Sequence, residues 1–269
     1  MDRKMPKLKV QNLTKSYKNG DSEVIEVVDH ISFEVAEGEL LSIVGPSGCG
    51  KTTLLKMIAG LLEPDEGLVF IDGNEVKPGH NRVGYIFQQE SLFPWRTVRQ
   101  NIEFGLEISG VSREERRKRS DDIIRIVGME GLEDNYPHEI SGGQARKTEM
   151  ARSLIVTPDI LVADEALSNL DAQTRNYLQE EFLRIQKLTG STILFVSHNV
   201  DEAVFMSDRI LVLSNIPAKI IAEYVIEIPK PRTRTSHECL AYRSQILDVL
   251  KVEQEKAMVR TRLKQPVST

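Results

Sequence analysis

The residues Gly45-Pro46-Ser47-Gly48-Cys49-Gly50-Lys51-Thr52 fit the pattern G-x-x-x-x-G-K-[ST], between the apolar run Leu40–Val44 and the amphipathic segment Leu54–Ala59. Glycines at these positions let backbone N–H groups turn toward anionic oxygens. A helix opening at Lys51 adds its positive N-terminal dipole, Lys51 a point charge on the outer phosphates, and Thr52, with Thr53 beside it, a hydroxyl for Mg2+. The ligand such a loop predicts is a nucleoside triphosphate. Cys49, inside the loop, is expected close to phosphate, where Lys51 and the helix dipole favour thiolate and bound nucleotide covers it.

A second anion-facing cap is expected downstream. Ile140-Ser141-Gly142-Gly143-Gln144 precedes a helical pattern through Met150–Leu154, so a serine hydroxyl and two glycines again meet a helix N-terminus. By itself this reads more readily as an ordinary helix start, since Ser before a helix is a common start signal. Its company adds chemistry. The run Ile160–Ala163 ends in Asp164-Glu165, with Ser168-Asn169-Leu170-Asp171 just after it, and Ile193–Val196 ends in Ser197-His198. Such short apolar runs predict buried strands, and open α/β sheets bind ligands at the ends of their strands.

With these motifs in this order, the chain from about Leu8 to Leu213 resembles the nucleotide-binding ATPase subunits of ABC transporters. The resemblance implies an α/β fold: a P-loop NTPase core with a mainly parallel sheet, an N-terminal antiparallel β-subdomain and an inserted helical subdomain. It implies ATP bound by Gly45–Thr53 with Tyr17 stacked on adenine. Asp164 then holds Mg2+ through water, Gln88 senses Mg2+ and the attacking water, Glu165 is the catalytic base, and His198 contacts the γ-phosphate. Asp171 matches the residue of the loop following the acidic pair. In this family Ser141–Gln144 of one subunit close over the P-loop of the other, so the implied assembly is a homodimer.

The residue types suit those roles. Phosphoryl transfer is mostly positioning and charge neutralisation, so it needs a metal, cationic and N–H donors, and one group to orient water. A carboxylate ending an apolar strand, as Glu165 does, can take a proton from that water. Outside this context a strand-end Glu is a solvated terminus, a lone His a surface or core residue, and Tyr17 a half-buried sheet aromatic.

Composition sets limits. With 40% hydrophobic and 28% charged residues the chain reads as globular, and no apolar stretch approaches the roughly 18 residues of a membrane span. Met1-Asp2-Arg3-Lys4-Met5-Pro6 lacks the apolar core of a signal peptide, which predicts a cytoplasmic protein. A net charge of −5 argues against a nucleic-acid partner, and the two cysteines make neither a disulfide framework nor a metal cluster. The basic stretch 113–119 contains Glu114 and Glu115 behind Ser112, a solvated helix start.

Alternating runs over 7–36, with Ile31, Phe33 and Val35 on one face, predict antiparallel strands. A helical subdomain is expected over about 98–155. Strands and helices alternate from 156 to 213, one helix carrying the stripe Leu178, Phe182, Ile185 and Leu188. The expected division is an ATPase domain over 1–228 and a helical tail over 229–269, its helix at roughly 238–257.

Ser91–Val98, Asn101–Leu106 and the Pro-Arg segment at 231–234 are most similar to the nitrate, sulfonate and taurine importer branch. That implies peripheral attachment at the cytoplasmic face of the membrane, to integral permease subunits served by a periplasmic or extracellular solute-binding protein. Trp95 is the candidate anchor on the permease, with a subdomain core position as its plainer reading. A soluble ABC ATPase with a non-transport role, such as cofactor assembly, is the alternative. Two departures from the family stand out: Ala166 replaces a usual proline, and Ala145-Arg146-Lys147-Thr148-Glu149 replaces the usual Arg-Gln-Arg-Val-Ala. Glu149 is expected to add a carboxylate to a helix that faces phosphate with its positive end.

Overall fold

A computed structural model of the chain describes residues 5–19, 23–79, 82–168 and 170–264. Met1–Lys4, Asn169 and residues 265–269, on which parts of the expectations above fall, lie outside them. The fold is α/β, with an antiparallel sheet and parallel strand pairs. Two compact units divide it: Met1–Gly79 with Phe195–Thr269, and His80–Leu194.

In the first unit, β1 (Leu8–Asn19) pairs antiparallel with β2 (Glu23–Val35) and with β4 (Glu66–Ile71), and β4 pairs with the short β5 (Asn74–Glu75). Period-two patterning turns Ile31, Phe33 and Val35 of β2 inward, where all three are buried. β3 (Leu40–Val44) is buried along its whole length and leads through the phosphate loop into α1 (Lys51–Ile58). It pairs parallel with β9 (Arg209–Leu213), itself antiparallel to β10 (Ile220–Val225). An apolar strand buried on both faces is what a parallel layer covered by helices requires.

Two helices complete this unit, α6 (Val200–Met206) and α7 (His237–Lys264). α7 is longer than its sequence pattern suggested, and its Cys239 and Ile246 join Val44, Val204 and Val212 in one buried cluster. The Pro-Arg segment has a structural task. Arg232, 8% exposed, donates to the carbonyls of Val204, Ser207 and Ile228 at 2.7, 2.6 and 2.9 Å, satisfying the C-terminal end of α6. Arg234 lies over the Phe205 ring, 3.5 Å from its centre.

In the second unit β6 (Val83–Ile86) pairs parallel with β7 (Ile160–Asp164), and between them in sequence come α2 (Val98–Ile108), α3 (Arg113–Val127), a 3-10 turn at Pro137–Glu139 and α4 (Gly142–Leu154). α5 (Ala172–Thr189) follows, and β8 (Thr192–Ser197) runs through the boundary between the units. The α5 stripe buries Leu178, Phe182 and Ile185 but leaves Leu188 61% exposed, because the packed face ends one turn before the helix does. Ser112 caps α3 through Glu115 N, while the Glu115 carboxylate pairs with Arg119 at 2.7 Å.

Candidate functional site

The phosphate loop lies in the first unit. Gly48 and Gly50 hold φ of +75° and +111°, the left-handed region, and a side chain on Gly50 would meet Val27 Cγ1 at 2.9 Å and Val27 O at 3.0 Å. Lys51, 5% exposed, donates to Gly45 O and Pro46 O at 3.0 and 2.9 Å. An ammonium has three donors, so these two carbonyls orient the charge without using it up. Thr52 is exposed and Thr53 half-buried.

Cys49 corrects an expectation. It is 1% exposed, its sulfur turned in beside Gly45, and its backbone N donates to Pro46 O at 3.3 Å. The sulfur is thus enclosed by the loop itself rather than by a bound nucleotide.

His198 stands exposed after β8 in a turn held from both sides. Asn199 caps α6 by accepting from Asp201 N and Glu202 N at 2.9 and 3.3 Å, and the Ser197 hydroxyl bonds Glu202 while accepting from Asn199 N at 3.0 Å. Gly45, Pro46, Ser47 and His198 line one cavity of about 600 Å³, with Arg243 and Lys251 of α7 on its wall. The structure thus brings His198 to the phosphate loop. Tyr17, 43% exposed, stands on β1 in the same unit.

The acidic residues belong to the second unit. Asp164 ends β7 at 4% exposure and accepts from the Tyr85 hydroxyl at 2.9 Å. Burial, with the Asp164 charge added to it, pushes the Tyr85 phenol up, so it remains a donor. Glu165 is half-buried at φ +46°, a conformation that costs a residue with a side chain about 1–2 kcal/mol and concentrates at functional sites. Gln88 Nε2 donates to Glu165 Oε2 at 3.1 Å across 77 residues of sequence. That contact joins two predicted site residues directly.

Ser141 opens α4 with a reciprocal cap: its hydroxyl accepts from Gln144 N at 3.3 Å, and its own N–H donates to Gln144 Oε1 at 2.8 Å. Gly142 and Gly143 supply the first N–H groups of the helix, which have no partner inside it. Asp171 caps α5, accepting from Gln173 N and Thr174 N at 3.0 Å each. Hydrogen bonds, first from the Thr174 side chain and then from its backbone, hold the Asp171 carboxyl below the usual range.

The structure adds one residue to the sequence reading and places two others. Tyr85 was hidden in the strand pattern that precedes Gln88. Glu149, expected to oppose the phosphate-facing end of α4, turns inward at 1% exposure and pairs with Arg146 at 2.6 Å. Trp95 is not a core residue: it is 70% exposed, its ring 5.6 Å from Phe93, which rests 4.5 Å from Phe104. Asn101 fixes that loop by donating to Phe93 O, Arg96 O and Thr97 O at 3.0–3.1 Å and accepting from Phe93 N at 2.8 Å.

The ABC transporter family profile matches residues 28–168. An uncharacterized ABC transporter ATP-binding protein of Methanocaldococcus jannaschii is 49% identical over 259 residues, 96% of each chain. The aliphatic sulfonates import ATP-binding protein SsuB of Bacillus cereus is 38% identical over 86% of this chain and 91% of its own. The nitrate import ATP-binding protein NrtC of Synechococcus elongatus is 42% identical over 80% of this chain and 33% of its own. Among solved structures, a dimeric ATP-binding cassette in a post-hydrolysis state with ADP and phosphate superposes with a TM-score of 0.71 at 30% identity, over 82% of this chain and all of that one.

Proposed function

Since the chain belongs to the ABC transporter ATP-binding family and is an ABC ATPase, we propose that it is the hydrolytic subunit of a membrane importer for nitrate, sulfonate, taurine or a related small solute. The observation that carries this reading is the near full-length similarity to the sulfonate-import subunit. In this reading Lys51, the loop N–H groups and His198 neutralise phosphate charge, Gln88 orients water, and Glu165 takes its proton. Tyr17 stacks on adenine. Asp164, Thr52 and Gln88 offer oxygen donors only, the set preferred by Mg2+, and Asp164 is buried and oriented by Tyr85. Bound there, Mg2+ would supply charge neutralisation on the phosphates.

Two copies act together, the Ser141–Gln144 cap of one serving the phosphate loop of the other. Residues 1–228 form the ATPase domain, and 229–269 its helical tail. The permease docks on the Trp95 loop: an exposed aromatic held rigid by Asn101 and backed by Phe93 has the character of an interface anchor. No helix among the described residues is long and apolar enough to cross a membrane, so attachment at the cytoplasmic face is through that partner, itself served by a solute-binding protein.

Affinity purification from membranes tests the importer reading. Tagged wild type should retain an integral permease, and Trp95→Asp should lose it while keeping its melting temperature and basal ATPase rate. Recovery of the wild type without any membrane partner contradicts the importer reading and favours a non-transport ATPase.

A further inference from the structure

The helix that begins at the Ser141 cap also grips the loop that carries Gln88. Along one face of α4, Arg146, Glu149, Arg152 and Ser153 recur at helical spacing, and each bonds the chain between Tyr85 and Ser91. Arg146 donates to Phe87 O at 2.9 Å and to Gln88 O, and to Glu149 Oε2 at 2.6 Å. The other oxygen of Glu149 accepts from Ser91 N at 2.6 Å and from Ser91 Oγ at 2.9 Å. Arg152 donates to Ser91 O at 2.7 Å and to the Ser91 hydroxyl, and Ser153 donates to Tyr85 O at 3.2 Å.

The Arg146–Glu149 pair is enclosed, its side chains 4% and 1% exposed. A buried ion pair is a poor source of stability compared with apolar packing, but its bonds are directional, so it specifies one arrangement. Here that arrangement fixes the backbone on both sides of Gln88, whose amide meets Glu165 at 3.1 Å. Both residues fall in the stretch Ala145–Glu149.

We propose that Arg146, Glu149 and Arg152 are positioning residues for hydrolysis: they clamp the Phe87–Ser91 loop to α4, so that helix and loop move as one body and present the Gln88 amide to Glu165. This rests on the reading of Gln88 and Glu165 as the water-orienting and proton-accepting groups. Without the clamp the phosphate loop at Gly45–Thr53 is untouched, but Gln88 samples positions away from Glu165. A small misplacement of such a group costs about 10- to 100-fold in rate.

The test is a mutant cycle on purified, full-length protein. Arg146→Gln/Glu149→Ala removes both charges together, so neither is left buried alone. It should lower kcat about 10-fold or more while ATP affinity stays within about twofold. Adding Gln88→Ala to it should produce no loss beyond that of Gln88→Ala alone, because the clamp acts through that amide. Ser91→Ala, which keeps every charge and changes one hydroxyl, should show a smaller loss that Gln88→Ala likewise abolishes, and it carries the cycle should the double variant fold poorly. Wild-type kcat in the unclamped variants, or a loss that multiplies with that of Gln88→Ala, overturns the clamp alone. Wild-type kcat in Gln88→Ala by itself overturns the underlying reading together with the clamp.

Discussion

Replacing Gly50 by alanine should damage the phosphate loop far more than the same change at Gly48, although both glycines have positive φ. At Gly48, φ is +75° and an added methyl group meets nothing within 4 Å, so only the backbone preference is lost, about 1 kcal/mol. At Gly50, φ is +111° and the methyl group would lie 2.9 Å from Val27 Cγ1 and 3.0 Å from Val27 O. The valine side chain can turn aside. Its carbonyl cannot, because it accepts from Ala218 N at 2.8 Å and holds the strand in place. Backbone strain of about 1–3 kcal/mol and overpacking of about 1–3 kcal/mol then put Gly50→Ala near 3 kcal/mol or above. For a body of this size that is a melting-temperature loss of about 6–12 °C, against about 2–4 °C for Gly48→Ala. Calorimetry of the nucleotide-free proteins reads the difference directly. Equal shifts, or a larger one at Gly48, would refute the steric argument.

Lys51→Ala removes a charge-assisted contact to phosphate and should weaken ATP binding about 10- to 100-fold by titration calorimetry; unchanged affinity contradicts the loop assignment. Asp171→Ala should lower the melting temperature at neutral pH by uncapping α5. Because the native Asp171 pKa is depressed, its stabilisation is complete above the unfolded value of about 3.9 and is lost as pH falls through the lower native value. The gap between wild type and variant should therefore close only in strong acid, and a gap that closes near neutrality shows that another group is titrating.

The parts of the site that a local pattern encodes were legible in the sequence. The turn at Gly45–Gly50, the cap at Ser141 and the carboxylates ending β7 each follow from neighbours in the chain. The reading of Cys49 took its side chain to face the phosphate, whereas the loop turns the sulfur in beside Gly45, a direction the motif's spacing does not encode. Glu149 was noticed as a departure, yet its meaning depended on Ser91, 58 residues away, and on a neighbour in the helix that turns with it into the interior. The α5 stripe overreached by one turn at Leu188, since periodicity continues past the surface that covers it. Tyr85, whose hydroxyl bonds Asp164, looked like any strand aromatic.

Catalysis by Glu165 is tested most directly by Glu165→Gln, since the amide keeps shape and hydrogen bonding, including the neighbourhood of Gln88, but cannot accept a proton. Steady-state hydrolysis should fall by about 100-fold or more while ATP affinity stays within about threefold, and Mg-ATP should drive the variant into a dimer on gel filtration. Wild-type turnover in this variant would show that another group takes the proton from water.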